Sequence, residues 1–211
     1  MNEAGGFFNI LNMAYQPIQN YGIIGNMRTA ALVGMNGSID WFCFPHFDSP
    51  SIFAAILDDD KGGRFEIAPR QDGISTKQFY WPETNVLITR FLSPDGVGEI
   101  EDFMPAGLAR ESAWNHQLVR RVKVARGSME FHLRCHPAFD YARATHQTQI
   151  TEHGASFHSA ELSLGLATAI PLTPDDRGVQ ASFALQEGQT AVFVLRRIER
   201  EESCDRCPSP D

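Results

Sequence analysis

Two groups of carboxylates and one group of histidines and cysteines are spaced closely enough to raise the question of chemistry. Asp58, Asp59 and Asp60 are consecutive, and Glu99, Glu101 and Asp102 crowd together forty residues on. Paired carboxylates act as general acid and base only where their surroundings drive their pKa values apart. The aspartates follow a short apolar segment and precede Gly62-Gly63, which is the pattern of a solvated loop. Glu99 and Glu101 share one strand face at i, i+2, ordinary on the wet side of a sheet. Neither group is assigned a catalytic role. His132, Cys135 and His136 come closest to a metal set, but on a strand the two histidines stand about 13 Å apart, too far for one ion. Cys204 and Cys207 form a single CxxC without a second pair and read as free thiols. Asn36-Gly37-Ser38 matches a glycosylation sequon but reads as a turn. No metal and no cofactor is expected.

Recognition of a neutral polyol needs an aromatic surface and a few placed polar groups, and the stretch from Tyr21 to Leu57 offers both. Trp41, Phe44 and Phe47 can stack on a ligand ring, while Arg28, Asp40 and Asp48 can bond its polar groups. The same residues also read as plain architecture. Thr29 to Val33 makes a short strand, Met35 to Ser38 a tight Asn-Gly turn, and Ile39 to Phe44 the return strand. Strict alternation puts Asp40 on a face with Phe42 and Phe44, where a carboxylate needs a partner. Arg28 is the nearest basic residue in sequence. Asp48-Ser49-Pro50 reads as the start of a short helix over Ser51 to Leu57, and Gly62-Gly63 ends whatever follows it.

The rest of the chain must position that stretch, and its period is two. Hairpins are expected from Thr84 to Met104, from Leu118 to Cys135 around Arg126-Gly127, around Glu152-His153-Gly154, and from Gln180 to Leu195 around Glu187-Gly188. Turn signals about every ten residues, with no long helical periodicity, predict an all-β, many-stranded antiparallel sandwich with one or two short helices near the N-terminus. One of these is expected around Phe7 to Ala14. Residues 1–20 read as an approach segment, 21–196 as the sandwich, and 197–211, charged and ending Pro-Ser-Pro, as a linker.

The composition narrows the partners. A net charge of −8 over 211 residues argues against nucleic acid. No stretch approaches the ~20 apolar residues of a membrane span, and no signal peptide is read at the N-terminus. Four unevenly spaced cysteines fit a reducing cytoplasm.

The run YGIIGNMRTAALVGMNGSIDWFCFPHFDSPSIFAAILDDDKGGRFEIAP resembles the N-terminal domain of bacterial glycoside hydrolase family 15 proteins, the glucoamylase-like and trehalase-like enzymes. The likeness continues through TNVLITRFLSPDGVGEIEDFMP, through HPAFDYAR at His136 to Arg143, and through Leu185 to Leu195. It implies a β-sandwich of supersandwich type that precedes an (α/α)6 barrel. In an inverting glycosidase one glutamic acid protonates the leaving oxygen while a second activates water. The family places both in the barrel, so no catalytic residue is carried over to this chain. The resemblance implies that the chain's main partner is its own C-terminal barrel and that its sugar, an α-glucan or trehalose-type substrate, is met through the full enzyme. An autonomous carbohydrate-binding module and a structural domain forming a homo-oligomer are the alternatives.

Overall fold

The computed structural model describes residues 15–106 and 116–199. Among them, fifteen strands join in one antiparallel hydrogen-bonded network. In chain order they are β1 (Tyr21–Gly25), β2 (Ala30–Gly34), β3 (Ser38–Cys43), β4 (Ser51–Phe53), β5 (Arg64–Pro69), β6 (Ser75–Tyr80), β7 (Leu87–Leu92) and β8 (Gly96–Phe103). There follow β9 (Gln117–His136), β10 (Gln147–Thr151), β11 (Gly154–His158), β12 (Ser163–Ala167), β13 (Thr173–Asp175), β14 (Gly178–Gln186) and β15 (Thr190–Ile198). The sequence expectation of an all-β antiparallel fold is met.

The expected hairpin at Leu118 to Cys135 is instead one strand of 20 residues. Its first half pairs with β8 and β15, and its second half with β5 and β14. An Asn-Gly turn reverses a chain because both central residues take positive φ. At Arg126-Gly127 only Gly127 does, at φ 70°, so the strand bends and passes from one layer to the other. Opposite the bend, the register with β8 slips by one residue, as a β-bulge does. The expected Gln180 to Leu195 hairpin is overturned in the same way: β14 and β15 pair with opposite halves of β9, not with each other. The hairpins β7/β8 and β10/β11 form as expected.

The buried apolar residues of both layers form a single cluster, to which β9 contributes Val122, Val124, Met129, Phe131 and Leu133. At its centre lies a fully buried arginine, Arg120. Its Nε donates to Asp102 Oδ1 at 2.7 Å and its Nη2 to Asp102 Oδ2 at 3.2 Å. The remaining donors reach Gly37 O at 2.7 Å and Phe65 O at 2.5 Å, and the guanidinium stands 4.9 Å from the centre of the Phe65 ring. One side chain thus ties β9 to β8, to β5 and to the Asn36-Gly37 turn. A buried charge tolerates this position only because its hydrogen-bonding capacity is met.

No α-helix forms at Ser51 to Leu57. Ser51–Phe53 is β4, paired with β3, and turns follow it. Seven residues nucleate a helix poorly, whereas the extended form buries Ile52 and Phe53 almost completely. Near the N-terminus the helical content among the described residues is one 3-10 turn, Ile18–Asn20. The helix expected at Phe7 to Ala14 lies outside the described residues, as do Cys204 and Cys207. Strand β15 continues through Ile198.

Candidate functional site

The β2–β3 hairpin carries the polyol candidates, and a bulge decides where each one points. Leu32 faces Trp41 and Val33 faces Ile39, which leaves Asp40 as the extra residue of β3. A bulge shifts the alternation by one and re-aims the inserted side chain. Ile39 and Phe42 therefore both enter the core, while Trp41 stays half-exposed. Asp40 is buried, and the partner its carboxylate needs is supplied by polar side chains. Its carboxylate accepts from Ser38 Oγ at 2.5 Å and Tyr21 OH at 2.8 Å, with Arg64 Nε at 3.9 Å. Burial, and then the hydrogen bond to Asp40, push the Tyr21 phenol above its ordinary range. The arginine that stands at Asp40 is Arg64 of β5; Arg28 lies in the turn between β1 and β2, ahead of the paired residues of β2. The Arg28 carbonyl accepts from Phe47 N at 2.9 Å, anchoring the loop that carries Phe47 and Asp48.

That loop borders a cleft of about 360 Å³. Phe44, Pro45, Ser51 and Ile52 form one wall and Phe139 and Asp140 a second. Residues Ser159 to Leu162, between β11 and β12, close the third side with Arg197 of β15. Of the polyol candidates, Phe44 enters the cleft, buried in its floor. Phe47 and Asp48 are exposed on the adjoining loop. Asp48 caps no helix, since none follows; Ser49 Oγ accepts from His46 N at 3.1 Å and closes a turn. Trp41 lies apart from the cleft lining, its ring centre 6.3 Å from that of Tyr141.

The second wall is the conformationally unusual part of the molecule. In the single turn α1 (Phe139–Ala142), Asp140 has φ 52° and ψ 52°, Tyr141 φ 56° and ψ 42°, and Ala142 φ 64°. Three successive non-glycine residues are left-handed, at roughly 1–2 kcal/mol each. The turn is over-determined by its surroundings. Ala138 N donates to Ile52 O at 2.8 Å, Phe139 is buried against His146, and Arg143 holds Asp140 Oδ1 at 2.7 Å. Burial lowers the His146 pKa, so its ring favours the neutral form.

Most of the other chemical candidates are engaged in ion pairs or in local turns. Contrary to the solvated face expected for them, Glu99 and Glu101 are buried. Lys123 bridges the two at 2.9 and 3.0 Å, Arg90 flanks Glu99, and Arg121 flanks Glu101. Burial would raise the Glu99 pKa, but Lys123 and Arg90 outweigh it and hold the group below its ordinary value, the reverse of what a general acid requires. Asp58 and Asp60 are exposed, and Asp58 Oδ1 accepts from the backbone of Asp60 and Lys61, the expected solvated loop. His132 Nε2 lies 2.9 Å from Glu66 and His136 Nε2 3.0 Å from Asp175. No group of three or more potential metal ligands occurs among the described residues.

Glu66 yields a prediction for stability. Burial pushes its carboxyl up, but the His132 hydrogen bond and the Arg134 charge outweigh this and hold it at about 2, against an ordinary 4.5. A depressed carboxylate stabilises the fold above its unfolded pKa and loses that contribution as pH falls toward the folded value. Between about pH 5 and pH 2, roughly 2–3 kcal/mol of unfolding free energy should disappear. Urea denaturation across this range should show that slope in the native chain and a flatter one in Glu66→Gln; equal slopes would refute the assignment.

The cleft, its strained wall and Arg197 are what the sequence did not announce. Asp140 to Ala142 contain no glycine, which is the usual mark of a left-handed position. The separate walls meet only through pairing between distant strands.

The fold is a many-stranded antiparallel β-sandwich with a cleft of about 360 Å³ lined from three separate segments. The comparisons with known proteins narrow this: the family model described as "Trehalase-like, N-terminal" matches residues 10–196, and the chain belongs to that family. Trehalase from Thermoplasma volcanium is 35% identical over 160 residues, covering 75% of this chain and 26% of that protein. Trehalase from Mycobacterium tuberculosis is 29% identical over 207 residues, covering 88% of this chain and 30% of that protein. Trehalase 1 from Sulfolobus acidocaldarius is 51% identical over 86 residues, 41% of this chain and 15% of that protein. The chain thus spans about a third or less of the length of the curated relatives it matches.

Proposed function

We propose that this chain is the non-catalytic N-terminal β-sandwich domain of a glycoside hydrolase family 15 enzyme that cleaves α-glucosides, with trehalose as substrate. It supports an (α/α)6 catalytic barrel, and the Phe47–Asp48 loop with its cleft contributes to the rim of the sugar site. One observation carries this reading: the chain aligns with only about a quarter to a third of trehalases, while its own clustered carboxylates are locked in ion pairs or solvated. Trehalose is favoured over a longer α-glucan because the curated relatives quoted above are each named trehalase. A cytoplasmic setting is supported by Cys43 and Cys135, both buried and unbonded. No helix among the described residues is long and apolar enough to cross a membrane.

The test is reconstitution. The parent enzyme should hydrolyse trehalose with inversion at the anomeric carbon. A separately expressed barrel should regain activity when this chain is added. A parent inactive on trehalose and maltose alike, or a barrel equally active without the chain, would refute the proposal.

A further inference from the structure

We infer that the cleft is a binding site for a neutral gluco-disaccharide held by the β-sandwich itself, with Ser51, Asp140, Glu161 and Arg197 bonding its hydroxyls and Phe44 and Phe139 taking its apolar face. The choice of sugar rests on the trehalase-type reading above; the existence of the site does not.

Three groups in the cleft have hydrogen-bonding capacity that no described residue uses. Ser51 is fully buried, yet its Oγ has no partner. A hydroxyl in that state costs about 1–3 kcal/mol unless something binds it. Glu161 and Arg197 are exposed at the mouth, and neither is ion-paired with a described residue. Asp140 adds a fourth group: Arg143 holds its Oδ1, and no described residue bonds its second oxygen.

Strain supplies an independent argument. Left-handed turns of three non-glycine residues persist only where the surroundings enforce them, and such sites cluster at ligand clamps. This turn sets Asp140 in the wall of the cleft. Charges of both signs at the mouth disfavour a simple anion or cation. An apolar ligand would leave Ser51 unpaired, whereas a pyranose offers an apolar C–H face to the phenylalanines and hydroxyls to the polar groups. A volume of about 360 Å³ lies at the small end of ordinary small-molecule sites.

The test is a protein-observed NMR titration of this chain with trehalose and, separately, maltose. Saturable shifts should centre on residues 44–52, 139–144 and 159–162. Arg197→Ala and Glu161→Gln, both at exposed positions, should each weaken binding about tenfold or more, as expected for a charge-assisted hydrogen bond. Ser51→Ala should also bind more weakly while unfolding at the same or higher denaturant concentration, because it removes an unsatisfied group. Trp81→Ala, an exposed aromatic on the β6–β7 connection, should bind as the native chain does. Absence of saturable shifts with both sugars, or shifts centred on Tyr80 and Trp81, would overturn the inference. A hydrolytically active parent whose N-terminal chain binds neither sugar would overturn this site while leaving the proposed function intact.

Discussion

Arg120→Ala is expected to cost about 3–5 kcal/mol of unfolding free energy, enough to leave most of a marginally stable domain unfolded. The substitution strands Asp102 as an unpaired carboxylate with no solvent exposure and removes the guanidinium donors to Phe65 O and to Gly37 O, the latter keeping only Ile67 N at 3.1 Å. Burial already raises the Asp102 pKa, with Arg120 pulling against it, so without the guanidinium the group should take up a proton. Asp102→Ala is expected to cost a similar amount, since it leaves a buried cation. The double replacement Arg120→Met with Asp102→Leu should recover much of the loss, because exchanging a whole buried pair for apolar residues is often near neutral. Urea unfolding of the single and double variants measures this. A single variant within about 0.5 kcal/mol of the native chain, the scale for harmless surface changes, would show that the pair is not what joins the layers.

The second large effect is expected at Gly37. Its φ of 83° suits glycine, and a Cβ there would sit 2.1 Å from Ile67 O. Its carbonyl also accepts from Arg120. Gly37→Ala therefore combines left-handed strain with a collision against β5 backbone, and about 3 kcal/mol is expected from the two together. Because Gly37 and Arg120 share a hydrogen bond, the cost of Gly37→Ala combined with Arg120→Ala should fall short of the sum of the single costs. Full additivity in denaturation would separate the turn from the buried arginine.

These two residues also show what the sequence made legible. The Asn36-Gly37 turn was readable because glycine at positive φ is a local requirement. Arg120 was not, although QLVRRVKV places it on the apolar face with Leu118, Val122 and Val124; a charge on that face signals a buried partner, and Asp102 is that partner. The class of fold followed from period two and regular turns. The bend at Gly127 was mistaken for a reversal because strand continuity depends on partners more distant in sequence than any local pattern reaches. The candidate site divided along the same line. Phe44 was found through its motif, but the Asp40 bulge broke the alternation used to orient its neighbours, and the arginine at Asp40 is Arg64, brought there by β5 from 24 residues away in sequence. The walls contributed by Asp140, Ser159 to Leu162 and Arg197 come together only in three dimensions.

The central claim is that this β-sandwich accompanies a catalytic domain and performs no hydrolysis itself. The direct measurement is glucose release from trehalose and maltose by the purified 211-residue chain. No turnover above a buffer blank is expected, with the chain shown to be folded by its urea transition. Glucose release that is abolished by a single substitution such as Glu66→Gln or Asp140→Asn would contradict the account.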